Sequence, residues 1–112
     1  MNFLKSLFKR KPVNNNFKVL SKSEFLNRTG NKSVTIIDVR TPAEFRSGHL
    51  DKAINIDYLQ GAEFIRKING LPRDLPVYIY CRSGNRSRKA GAKMLNMGFK
   101  EIYDLRGGIM NI

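Results

Sequence analysis

The sequence predicts an α/β fold, a mainly parallel sheet with helices on both faces. Two observations carry this expectation. Short β-branched or aromatic runs alternate along the chain with stretches of helical periodicity. The runs VTIIDV and VYIY are also apolar at almost every position, as buried strands are. A length of 112 residues suits one domain and supports a core without disulfide or metal staples.

The elements follow in order. FKVL at Phe17–Leu20 reads as a short strand. Ser21 and Glu24 are spaced as a capping box and start a helix that NRTGNK breaks. Val34–Val39 is a buried strand. Thr41 then caps a short helix with Pro42 in its first turn and Glu44 closing a second box, and Gly48 ends it. Ala53–Ile56 reads as a strand, and Ala62–Ile68 as a helix closed by Gly70 and Pro72. Val77–Tyr80 is the next strand. In the helix after it, Ala90, Gly91, Met94 and Leu95 mark one face, Lys89, Lys93 and Asn96 another. Glu101–Leu105 is the last strand, and no internal repeat interrupts the alternation.

Residues 1–16 read as a basic N-terminal segment and linker, flexible, and 17–112 as the folded domain. The first eleven residues hold four basic side chains and no acid. Phe3, Leu4, Leu7 and Phe8 fall at helical spacing, so the alternative to a disordered start is a short helix making weak membrane-surface or partner contact. The stretch is too short for a signal sequence or a membrane span. Net charge is +12, from 21 Lys and Arg against 9 Asp and Glu, which implies attraction to anions. Aromatic residues are not interleaved with the basic ones in a nucleic-acid-binding pattern, so no nucleic-acid partner is expected. One cysteine excludes an internal disulfide and, with one histidine, argues against a metal centre. No cofactor is expected, and a lone thiol fits a reducing, cytoplasmic setting.

That cysteine, Cys81, ends the strand Val77–Tyr80, and CRSGNRS joins the strand to a helix start. In parallel α/β sheets the ligand site lies beyond the carboxyl ends of the strands, where Cys81 is. Ser83, Gly84 and Asn85 let the loop curl, so that successive backbone N–H groups aim at one point. The helix start adds partial positive charge, and Arg82 and Arg86 add full charges. All favour a thiolate over a thiol and would hold an anion beside it. The plainer readings are a buried inert cysteine and, for Lys89 and Lys93, a solvated helix face.

The loop CRSGNRS resembles the active-site loop of the rhodanese-like sulfurtransferases. DVRTPAEFRSGHLDKAINI at Asp38–Ile56 is similar to that family's other signature, and LRGGI at Leu105–Ile109 to its carboxyl-terminal Gly-Gly segment. The resemblance covers about Phe17 to Ile112. It implies the rhodanese-like α/β domain and a Cys81 that takes a sulfane sulfur from thiosulfate or a persulfide donor, becomes a persulfide, and yields the sulfur to a thiol or cyanide. It implies that backbone N–H groups of Arg82, Ser83, Gly84, Asn85, Arg86 and Ser87 cradle the persulfide, with Arg82 and Arg86 binding the anionic donor. Asp38, Arg40, Glu44 and His49 would brace the fold, with His49 structural rather than a general base. Arg40 either pairs with Glu44 or supports the loop. The family often continues past Gly-Gly with a helix carrying an aromatic residue; this sequence stops at Ile112, so that helix is expected to be missing or cut off.

Two other functions fit parts of this pattern. A cysteine phosphatase or arsenate reductase of related fold spaces its arginine five residues beyond the cysteine, where Ser87 stands here. Arg86 follows after four, and a shorter loop makes a smaller cradle. A non-catalytic rhodanese-like binding module typically lacks the cysteine, which this chain keeps.

Overall fold

The computed structural model describes residues 16–111. The basic start, and most of the linker placed after it, lie outside the described residues. Strands β1 (Phe17–Leu20), β2 (Thr35–Asp38), β3 (Ile54–Asn55), β4 (Val77–Tyr80) and β5 (Ile102–Leu105) form one sheet in the order β1-β5-β4-β2-β3. Every pairing is parallel. Parallel neighbours need a crossover, and helices α1 (Lys22–Thr29), α2 (Pro42–Arg46), α3 (Ala62–Asn69) and α4 (Asn85–Asn96) lie in the connections.

Strand alternation sorts the core into two layers. Val77, Ile79 and Cys81 join Ile37, Val39, Phe64, Ile68, Ala90, Met94 and Ile102 on the face covered by α3 and α4. Tyr78 and Tyr80 join Leu20, Phe25, Ile36 and Leu105 on the other face, against α1. β4 is central and buried along its whole length, which is why VYIY carries no alternation. Phe25 meets Tyr78 edge to face at 5.6 Å, a favoured aromatic geometry.

Element ends differ modestly from the sequence expectation. The third strand is only Ile54–Asn55, because the Asn55 amide turns inward to donate to the carbonyls of Asp38 (3.0 Å) and Arg40 (2.8 Å). The capping box at Thr41 is complete, whereas at Ser21 the side chain accepts from Glu24 N with no reciprocal bond recorded. Two 3₁₀ turns, Tyr58–Gln60 and Ile109–Asn111, carry no sequence periodicity and were not expected. The second follows Gly108 directly.

Candidate active site

Cys81 lies one residue past β4, 1% exposed, at the floor of a loop that turns directly into α4. Gly84 makes the turn possible. Its φ of +108° lies in the region that side chains disfavour, and it serves as the N-cap of α4. The turn points backbone N–H groups inward: Gly84 N donates to Cys81 Sγ at 3.0 Å and Ser87 N at 3.3 Å. The Ser87 hydroxyl stands 3.4 Å from the same sulfur. The N–H groups of Arg82, Ser83, Asn85 and Arg86 meet no acceptor among the described residues, leaving donors at the mouth of the loop and on the first turn of α4. The loop thus directs hydrogen-bond donors at the sulfur and leaves further donors at its mouth.

The structure divides the remaining expected site residues into two groups. Arg86 is beside the loop but committed: its guanidinium makes a two-pronged contact with Glu44, at 2.7 and 2.9 Å. Glu44 also accepts from Thr41 N and Oγ1. The Arg86 guanidinium, with the Thr41 donors, holds the Glu44 carboxyl down to about 2. Thus α2 is clamped to the base of α4 across 42 positions of sequence. The Arg82 and Asn85 side chains are exposed and remain free to face solvent.

The other group lies behind the site. Asp38 is fully buried and receives Arg40 N, Nε and Nη2 at 2.7–3.1 Å. Arg40 Nη2 also donates to Gly48 O at 2.7 Å. Arg40 therefore pairs with Asp38, not with Glu44 or the loop. Tyr80 holds the same region from the sheet, its hydroxyl accepting Leu50 N at 3.0 Å. His49 is exposed, stacked on Phe45 at 3.6 Å, with Nδ1 against Phe45 O. Neither contact brings it to Cys81.

Gly108 has a larger part than its place in a sequence motif discloses. A Cβ there would fall inside the backbone of Arg82 and Ser83. The following turn fastens the loop from below, Ile109 N donating to Cys81 O at 2.9 Å and Met110 N to Arg82 O at 3.0 Å. Sequence reasoning overlooked Asp104, a carboxylate 1% exposed whose Oδ1 has no hydrogen-bond partner. The available signal was an acid at an inward position of the apolar run EIYDL. A cleft of about 300 Å³ beside Pro42, Asp57, Glu63 and Lys67 contains no residue of the Cys81 loop. Among the described residues no group of three His, Cys, Asp or Glu side chains is arranged to hold a metal, and no helix is long and apolar enough to cross a membrane.

The family model for the rhodanese-like domain matches residues 21–112. The chain belongs to the rhodanese-like family. It is 40% identical over 91 residues to the uncharacterized protein YqhL of Bacillus subtilis, spanning 81% of this chain and 68% of that one. It is 35% identical over 92 residues to the thiosulfate sulfurtransferase GlpE of Shewanella oneidensis, spanning 82% of this chain and 88% of the relative. The solved rhodanese-like domain protein from Staphylococcus aureus superposes with a TM-score of 0.72 at 27% identity, covering 82% of this chain and 87% of that structure. The likeness to GlpE puts the rhodanese-like chain among sulfurtransferases at the level of the family.

Proposed function

We propose that the protein is a single-domain sulfurtransferase that moves a sulfane sulfur from thiosulfate or a persulfide donor to a thiol or cyanide through a persulfide on Cys81. The observation that carries this is the seating of Cys81 Sγ on the N–H groups of Gly84 and Ser87, beneath further loop N–H groups that meet no acceptor. In the first half-reaction the Cys81 thiolate attacks the outer sulfur of thiosulfate. The sulfur–sulfur bond breaks, and sulfite leaves with the electron pair. In the second, cyanide or a thiolate attacks the outer sulfur of the persulfide, and Cys81 regains its thiolate. Arg82 and the loop N–H groups meet the donor, while Arg86 holds the loop to α2 and contributes charge from that position. The name of the GlpE relative supports thiosulfate as donor. A reactive lone thiol fits a reducing compartment, so the cytoplasm is the proposed setting.

Incubation with thiosulfate followed by intact-protein mass spectrometry tests the reading. The expected result is a gain of about 32 Da, one sulfur atom, that cyanide removes as thiocyanate and that Cys81→Ser lacks. Cys81-dependent hydrolysis of an aryl phosphate with no thiocyanate formed would hand the site to the phosphatase class.

A further inference from the structure

The charge of Arg86 at the mouth of the loop is already met by a carboxylate, since both prongs of its guanidinium go to Glu44. Arg88, two residues further on, is different. It is exposed, and the ion pairs among the described residues engage Arg28, Arg40, Arg66 and Arg86, not Arg88. Helical geometry carries its side chain back to the loop. Arg88 N donates to Gly84 O at 3.2 Å, closing the first turn of α4. Side chains on a helix lean toward its N-terminus, over the residue four positions earlier. That residue is Gly84, and a Cβ built on it would stand 3.6 Å from Arg88 Nη1 and 4.0 Å from Gly107 N. Gly107 N meets no acceptor among the described residues. An unpaired guanidinium and a free backbone donor thus flank the bare Cα of Gly84, whose own N–H is 3.0 Å from Cys81 Sγ. The guanidinium therefore stands within about one Debye length of the reacting sulfur, ~10 Å at 0.1 M salt.

We propose that Arg88 is a specificity-determining residue, the free cation that gives the Cys81 site its preference for an anionic reactant. The two arginines of the α4 start divide the work. Arg86 is the clamp to α2, and Arg88 meets the charge of a molecule arriving over Gly84. The bare Cα of Gly84 leaves room for an oxyanion between the guanidinium and Gly107 N, with the end that reacts directed at Cys81 Sγ. The chemistry at sulfur is unchanged by this; what Arg88 alters is the energy of bringing a negative group to it.

That the anion is a sulfur donor rests on the sulfurtransferase reading; the test is chosen not to. Cys81 is alkylated in parallel by iodoacetate, an anion, and by iodoacetamide, its neutral counterpart, at one pH and low salt. The thiolate displaces iodide from both, so the ratio of the two rates cancels the thiolate fraction and reads only the reception of negative charge. Arg88→Ala should lower that ratio about three- to fivefold, the scale of one unit charge acting at this range near a protein surface. Arg88→Lys should keep most of it. Lys93→Ala removes the same charge from farther along α4 and should leave the ratio close to that of the wild type. Equal ratios in Arg88→Ala and Lys93→Ala would overturn the proposal, and so would an Arg88→Lys variant as poor as Arg88→Ala. Should Arg88→Ala fail to fold, Arg88→Gln removes the charge and keeps a polar side chain. In turnover, Arg88→Ala should raise KM for thiosulfate by a similar factor with kcat nearly retained. A fall in kcat at unchanged KM would make the residue a support of the loop rather than a receptor for the anion. An absence of any turnover with thiosulfate would count against the sulfurtransferase reading, and the alkylation ratio would still decide the role of Arg88.

Discussion

Glu44 joins two parts of the chain through one carboxylate, the start of α2 and the base of α4. Its value of about 2 against an ordinary 4.5 is linked to stability. A carboxyl depressed in the folded state stabilises above its unfolded value, and the contribution is lost as pH falls from about 4.5 through about 2. The Arg86 and Glu44 side chains remain 22% and 28% exposed, so solvent screening reduces the pair to about 1–2 kcal/mol. Glu44→Gln should therefore lower stability by about that amount at pH 7, and the gap to the wild type should close below about pH 2. Denaturant titrations of both proteins along a pH series check this; a gap that persists at the acid end would mean that the ion pair is not its source. The Thr41–Glu44 box was legible because it is local, three residues in one turn. The Arg86 partnership was not, since spacing pointed to Arg40, four residues before Glu44, and Arg86 lies 42 positions away. The choice is made by Asp38, which engages Arg40 first inside the protein.

The α4 start is an element whose shape is imposed from elsewhere. Sequence indicated a tight turn at Ser83–Asn85 and a helix beyond it, since those follow from residue type and periodicity. It gave no sign that the turn Ile109–Asn111 would hold the loop, because three residues of 3₁₀ helix have no period to read. Gly108→Ala tests that support. Its φ of +66° strains any side chain, at about 1–3 kcal/mol, and the new methyl would overlap the Arg82 carbonyl. The expected outcome is a folded but destabilised protein whose sulfur transfer falls at least tenfold, measured as thiocyanate formation. Retained turnover would show that the loop keeps its shape without that contact. Gly91 is a useful contrast: a methyl there would meet the side chains of Phe17 and Ile79 rather than backbone.

At the scale of the whole molecule, the strand–helix alternation was legible, and the order β1-β5-β4-β2-β3 was not, because nothing local says which strands become neighbours. The charge excess was plain from composition, and the structure leaves it largely uncompensated. Four of the nine acids already pair with arginines: Asp38 with Arg40, Glu44 with Arg86, Glu63 with Arg66 and Glu24 with Arg28. A net charge of +12 should therefore attract a divalent anionic donor over a distance that salt shortens. Steady-state assays between about 0.05 and about 0.3 M neutral salt should show KM for thiosulfate rising several-fold with kcat nearly constant. A KM indifferent to salt would show that the donor is captured by the loop contacts alone.

The fastening of the Cys81 and Arg82 carbonyls by Ile109 and Met110 also sets a schedule. The ribosome makes Cys81 some thirty residues before the segment that closes its loop, and the exit tunnel delays that segment further. The edge strand β1, made first, must likewise wait for β5. During synthesis the thiol thus spends its early life outside the cradle, which closes only once the Ile109–Met110 segment has reached it.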